Sequence, residues 1–317
     1  MYIYIDGLLQ RLKHSKAGCW IGTVFVGALA YTDNIVLLAP TASGMHLLLQ
    51  ICQNYGQKFS IQFNATKSAC MLVSKRNNAV KHALQFYIDG QQILIIDEFL
   101  HLGHTIVAQL DDNKEILAKR YELCGNNVLC YFKCCNPAVK IKLLHSYCSD
   151  FYGSVLRDIS LSTVKSVCTA WRKGLRRLWD LPLQTHSRLI APICQLLPIR
   201  DELLFRRVSF VVKCMSSDNS VVRTVSQHGV FFIRHMLLSP IGANARFCCN
   251  YFDVFWHHID RINKQFVWRA HQQRVIMPEF NKINVIKELL NVKYNFASVP
   301  VLDLADIVFC IESLCTE

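Results

Sequence analysis

Ala28-Leu29-Ala30-Tyr31-Thr32-Asp33-Asn34-Ile35-Val36-Leu37-Leu38-Ala39-Pro40 is the stretch on which the reading of this chain turns. Two apolar runs flank one polar pair, Asp33-Asn34, and Pro40 ends the second run because it has no N–H to give to a ladder. Buried strands joined at a polar pair make a β-hairpin, and this one carries Asp33 near its tip. Before it, Cys19 to Gly22 and Thr23 to Tyr31 read as strands rich in Val, Ile, Phe and Trp. Earlier still, Tyr4, Ile5, Leu8, Leu9 and Leu12 recur at helical spacing through Lys13.

Downstream, Ser43 is placed to cap a helix from about Met45 to Gln57. Cys70 to Val73 reads as a strand, Phe86 to Leu94 as a hairpin turned at Asp89-Gly90, and Phe99 to Ile106 as one last short strand. After Asp111 the period becomes helical. Asp111 or Asp112 opens one helix, Asn136-Pro137 a second as N-cap and first residue, and Ser160 or Ser162 a third; further helices are expected over about 201–216 and 251–270. The fold class expected is α+β: residues 1–110 mixed, 111–215 helical and basic, 216–317 a helical segment whose role the sequence leaves open.

The 317 residues are 52% hydrophobic with a mean hydropathy of +0.21, which supports a sizeable core and argues against global disorder. Asp33 is the one charged side chain between Ala17 and Gln57, yet polar and turn residues interrupt that run too often for a membrane span, which needs roughly 18–20 apolar residues together. The N-terminus has neither a basic leader nor a cleavage pattern, so the expectation is an intracellular, non-secreted, non-membrane protein, nuclear or cytoplasmic address unresolved. Its 15 cysteines, an odd number in a long chain, then read as reduced core thiols. Net charge is +12, and its distribution is uneven. Residues 116–213 hold 16 basic and 6 acidic residues, against 9 and 8 before them and 10 and 9 after. A basic segment of this kind attracts polyanions, nucleic acid first.

The hairpin stretch resembles the palm signature of LINE-type, non-LTR retrotransposon reverse transcriptases, usually Tyr-Ala-Asp-Asp between two apolar strands. Four further segments follow the family in order. Tyr4-Ile5-Asp6-Gly7-Leu8-Leu9 is similar to the helix after its template-gripping segment, and Phe63-Asn64-Ala65-Thr66-Lys67-Ser68 to the motif whose lysine lies near the incoming nucleotide. Phe99-Leu100-His101-Leu102-Gly103 resembles the primer-grip hairpin, and Ala170 to Pro182, continuing through Thr185-His186-Ser187 and Leu197-Pro198-Ile199, the helical thumb. The resemblance spans about residues 1–215. It implies a partial palm with thumb, RNA-directed DNA polymerisation, an RNA template with a DNA primer, and Mg²⁺. Residue by residue it implies Asp33 as catalytic metal ligand, Lys67 at the nucleotide, and Phe99, Leu102 and Gly103 in the primer grip.

Two departures bear on activity. Two-metal nucleotidyl transfer needs carboxylates that hold both ions, and Asn34, at the second aspartate position, brings an amide oxygen without charge. The family's first catalytic aspartate belongs to an earlier palm strand, and Asp6 is the only acidic residue before Asp33, on the wrong element. The expectation is a truncated or decayed enzyme without turnover; the alternatives are a non-catalytic nucleic-acid-binding remnant and a relic without function. Arg172, Lys173, Arg176 and Arg177 share one helical face that suits phosphate contact without sequence reading, or an ordinary solvated surface. Arg157, Lys165, Arg206 and Arg207 add to that basic segment, and Trp171 and Trp179 read as core. Cys130, Cys134, Cys135, His145 and Cys148, and likewise Cys248, Cys249, His257 and His258, are close in sequence but lack the usual pairs of zinc ligands.

Overall fold

The computed structural model describes residues 2–73, 84–109, 162–178, 196–231 and 239–271, with isolated positions besides. It is α+β: small, mainly antiparallel sheets and a set of helices. The chain divides into two compact units, Met1–Asp111 with Ser217–His228, and Asp112–Ser216 with Gly229–Glu317. Helix starts read near Asp111 and Asp112, Pro137, Trp179, and the 185–187 segment lie outside the described residues. Asn136 itself is described, and its carbonyl accepts from the N–H groups of Val139 and Lys140 at 2.9 and 3.1 Å.

In the first unit, α1 (Tyr2–His14) turns Leu8 and Leu12 inward at i, i+4 spacing, against Leu48, Cys52 and Tyr55 of α2 (Ala42–Phe59). Each buried leucine of this kind contributes about 1.5–3 kcal/mol. Gly7 makes the approach possible: a Cβ there would stand 2.6 Å from Tyr55 Oη. The cap of α2 is Thr41, not Ser43. Thr41 has extended backbone and its Oγ1 accepts from the Gly44 N–H at 3.1 Å, so the helix starts three residues earlier than the spacing predicts.

Between α1 and α2 lie two hairpins where the sequence reads longer strands. β1 (Trp20–Ile21) pairs with β2 (Val24–Phe25), and β3 (Ala28–Tyr31) pairs with β4 (Asn34–Leu37). Gly27 divides β2 from β3; a Cβ there would meet the Phe25 ring at 2.5 Å. The β3–β4 strands are not buried as expected, with Leu29 42% and Tyr31 60% exposed. Each sheet here has only two strands, and Ala28, Ile35 and Leu37 are the hairpin residues that pack on the core.

Beyond α2, the strand expected over Cys70–Val73 is confined to β5 (Ala69–Cys70), parallel to β7 (Gln91–Ile95), which pairs antiparallel with β6 (Phe86–Ile88). Asp89 (φ 47°) and Gly90 (φ 76°) form the predicted turn. The single strand expected over Phe99–Ile106 is a hairpin, β8 (Glu98–His101) with β9 (His104–Val107). Leu102 (φ 50°) and Gly103 (φ 77°) make its two-residue turn, and a leucine in the left-handed region gives no turn signal in sequence.

The second unit is helical: α3 (Ser162–Leu178), α4 (Ile199–Met215), the end of α5 (Ser220–Phe231), α6 (Pro240–Phe252), a 3₁₀ turn (Trp256–Arg261) and α7 (Lys264–His271). Its core joins Val164, Val167, Trp171 and Leu175 to Leu204, Val208, Cys248, Phe252 and Val267. The one helix expected over 251–270 is broken, because Asp253 takes the left-handed conformation (φ 56°) and closes α6.

Candidate functional site

The β3–β4 ladder runs Ala28↔Leu37, Leu29↔Val36, Ala30↔Ile35, Tyr31↔Asn34, leaving Thr32-Asp33 as a two-residue turn. Asp33 therefore stands at the tip, and Asn34 is the first residue of β4, both exposed. Thr32 carries the cost of that turn. It is β-branched and sits at φ 53°, a region such residues rarely adopt. Its Oγ1 lies 2.8 Å from Asp33 Oδ1 and 2.7 Å from the Tyr31 carbonyl, and its single proton serves one acceptor at a time. The Thr32 hydroxyl first, then the Asp33 backbone N–H, hold the Asp33 carboxyl below the usual carboxylate range. The Lys67 ammonium acts in the same direction, as the smallest of the causes.

Lys67 is placed by Asn64. The Asn64 side-chain oxygen accepts from the Lys67 N–H at 3.0 Å and from Thr66 Oγ1 at 2.7 Å, while its carbonyl accepts from the Ser68 N–H and Oγ at 3.0 and 2.8 Å. An asparagine that bonds the third N–H ahead works as a cap, and Asn64 is a site residue the sequence reading passed over. Thr32 is the other; a threonine before the acidic residue was the available signal.

Phe99, Leu102 and Gly103 sit together on the β8–β9 hairpin. Phe99 is 38% and Leu102 44% exposed, and the Phe99 ring stacks on His101 at 6.5 Å. On α3, the core stripe of Val164, Val167, Trp171 and Leu175 puts Lys165, Arg172, Lys173, Arg176 and Arg177 on the remaining arc, with Lys165, Lys173 and Arg177 exposed. Arg172 donates to Thr169 Oγ1 at 3.4 Å. Arg206 and Arg207 do not extend this arc. Arg206 is paired with Glu202 at 2.8 Å, and Arg207 is 1% exposed, near Cys248. Arg157 lies outside the described residues.

No metal set emerges at either cysteine–histidine cluster among the described residues. Cys248 and Cys249 are core residues of α6, their thiols pushed up to about 12 and about 11 by burial, while His257 and His258 face solvent. Cys130, His145 and Cys148 are outside the described residues. A divalent pair at the hairpin tip does not fit the residues described either. Asp33 offers one carboxylate with one oxygen engaged by Thr32, and Asn34 is neutral.

An α+β unit with an acidic hairpin tip, and a helical unit with a basic helix face, are what the geometry defines. No family model matches the chain. Over 114 residues, 33% of this chain, it is 29% identical to the retrovirus-related Pol polyprotein from the type-2 retrotransposable element R2DM of Drosophila melanogaster. That match spans 10% of the relative's length. No helix among the described residues is long and apolar enough to cross a membrane.

Proposed function

We propose that this chain is a reverse-transcriptase-related protein that binds nucleic acid and does not turn over nucleotides. The observation that carries the reading is the β3–β4 hairpin, which presents Asp33 in a strained turn with Asn34 beside it. The similarity to a retrotransposon Pol polyprotein supports the same origin. On this reading residues 1–110 are palm-like, 111–215 thumb-like, and Phe99, Leu102 and Gly103 the remains of a primer grip. Magnesium belongs to the ancestral chemistry, and the described residues do not assemble its donor set. What remains is the basic face of α3, where Arg172, Lys173, Arg176 and Arg177 grip the phosphates of an RNA–DNA duplex without reading sequence.

The test is primer extension on an RNA template with Mg²⁺ or Mn²⁺, beside duplex binding across a salt series. No extension is expected, with binding that weakens steeply as salt rises. Lys173→Ala with Arg177→Ala should reduce the log–log salt slope by about 2, near 0.9 per phosphate released. Extension that disappears in Asp33→Ala overturns the inactive reading, and duplex binding indifferent to salt overturns the α3 assignment.

A further inference from the structure

One tyrosine gathers two cations in the helical unit. Tyr251 lies in the last turn of α6, and two guanidinium groups rest over its ring. Arg200, in the first turn of α4, stands 5.0 Å from the ring centre, and Arg274, beyond the end of α7, stands 5.5 Å from it. The two charges are therefore no further apart than those distances together. On one strand, with a charge every roughly 3.4 Å of axis, that reach takes in about three phosphates. Both arginines are exposed.

The ring between them is fixed. The Tyr251 hydroxyl donates to Asp201, whose other oxygen faces the His271 ring, and Arg274 Nη1 donates to the Tyr251 carbonyl. The acids beside Arg200 are already engaged, Asp201 turned inward at 4% exposed and Glu202 paired with Arg206. Among the described residues neither Arg200 nor Arg274 is in an ion pair, so one inward carboxylate against two guanidinium groups leaves the outside positive. Guanidinium groups resting on an aromatic face are held in place before a ligand arrives, which lowers the ordering cost of binding a polyanion. The patch also continues toward α3, which packs on α4. Burial raises the Cys168 thiol of α3, and Arg200 and then Arg172 oppose it, which puts both cations near one side chain.

We propose that Arg200 and Arg274, resting on Tyr251, bind nucleic-acid phosphates and carry the contact surface of α3 on to the start of α4. The proposal rests on the reading of the chain as a nucleic-acid-binding protein and lengthens the path that a backbone follows across its helical unit.

The full chain carrying Arg200→Gln is titrated with the RNA–DNA duplex across the salt series used for the parent and for the Lys173→Ala/Arg177→Ala variant. At about 0.9 per phosphate, the log–log slope should fall by about 1 in Arg200→Gln and by about 2 when Arg274→Gln is added. Arg274 also holds the Tyr251 carbonyl, so the single variant decides if a far-UV melt shows the double variant less folded than the parent. Arg200→Lys keeps the charge and should keep the parent's slope; a slope that falls as far as with glutamine overturns the phosphate contact. A slope unchanged in Arg200→Gln but reduced in the α3 variant overturns this site and leaves the earlier reading intact. A parent chain whose duplex binding is indifferent to salt overturns both. Capture of a poly-glutamate peptide that Arg200→Gln loses, with its duplex slope unchanged, assigns the patch to an acidic protein partner and overturns the proposal.

Discussion

Thr32 and Asp33 act as a pair, since the backbone of one is strained while its hydroxyl steadies the charge of the other. Thr32→Val keeps the shape and removes the hydroxyl. The Asp33 carboxyl should then titrate closer to the ordinary value near 3.9, as followed by carboxyl NMR. The sign follows from the depressed native value: the charged form favours folding above the unfolded value, and that preference fades as pH falls through the native one. An Asp33 titration unchanged in the valine variant would mean that the backbone N–H and Lys67 hold it alone. Leu102 poses a cleaner strain test, because it is 44% exposed and sits at φ 50°. Leu102→Asn suits the left-handed turn better and should stabilise the chain by about 0.5–1 kcal/mol, read from urea midpoints. A loss of stability would show that the leucine side chain matters more than its backbone.

At the scale of elements, periodicity recovers α1, α2, α3 and α4, because each has a core stripe that repeats at helical spacing. The β6–β7 turn was legible through Asp89-Gly90, whose residues prefer positive φ. What failed has local causes. Thr41 and Ser43 are both good caps, and only backbone geometry chooses Thr41. Leu102 hides a turn inside an apolar run, and Asp253 ends a helix that its neighbours would continue. Of the candidate site, Asp33 at a hairpin tip was readable, whereas the Asn64 cap and the weak pull of Lys67 depend on how distant segments fold together. Gly56 in α2 is similarly silent in sequence. A Cβ there would stand 2.5 Å from the Ile61 carbonyl oxygen, and the Gly56 carbonyl accepts from the Ile61 N–H at 2.9 Å. Gly56→Ala should cost about 1–3 kcal/mol by overpacking, more than the roughly 1 kcal/mol gained in helix propensity. Urea unfolding at or above the parent's stability would show that the turn after α2 yields.

For the molecule as a whole, the helical unit is tied by one buried carboxylate. Asp201 on α4 receives His271 Nδ1 of α7 at 2.8 Å and the Tyr251 hydroxyl of α6 at 2.9 Å, with Asp201 and His271 both under 10% exposed. Asp201→Ala should cost about 2–5 kcal/mol, because it removes the shared buried acceptor of the His271 ring and the Tyr251 hydroxyl, and a thermal melt within a degree of the parent would refute that. Alkali should act on the same unit. Burial first, with Asp201 next, pushes Tyr251 up to about 12, beside Cys248 at about 12 and Cys249 at about 11. Raised groups favour folding fully below their unfolded values, near 8.5 for thiols and 10 for tyrosine, and the advantage drains away as pH climbs through the native ones. Urea midpoints should therefore fall steadily above about pH 9, and less steeply in Cys248→Ala.

Ser217–His228 belongs with Met1–Asp111 although more than a hundred residues of the other unit are strung between them. No single cut releases either unit whole. On the ribosome the consequence is one of timing: the first part to emerge waits roughly 5–20 s, at usual elongation rates, for its last piece. Through that interval the first unit stands without its closing segment.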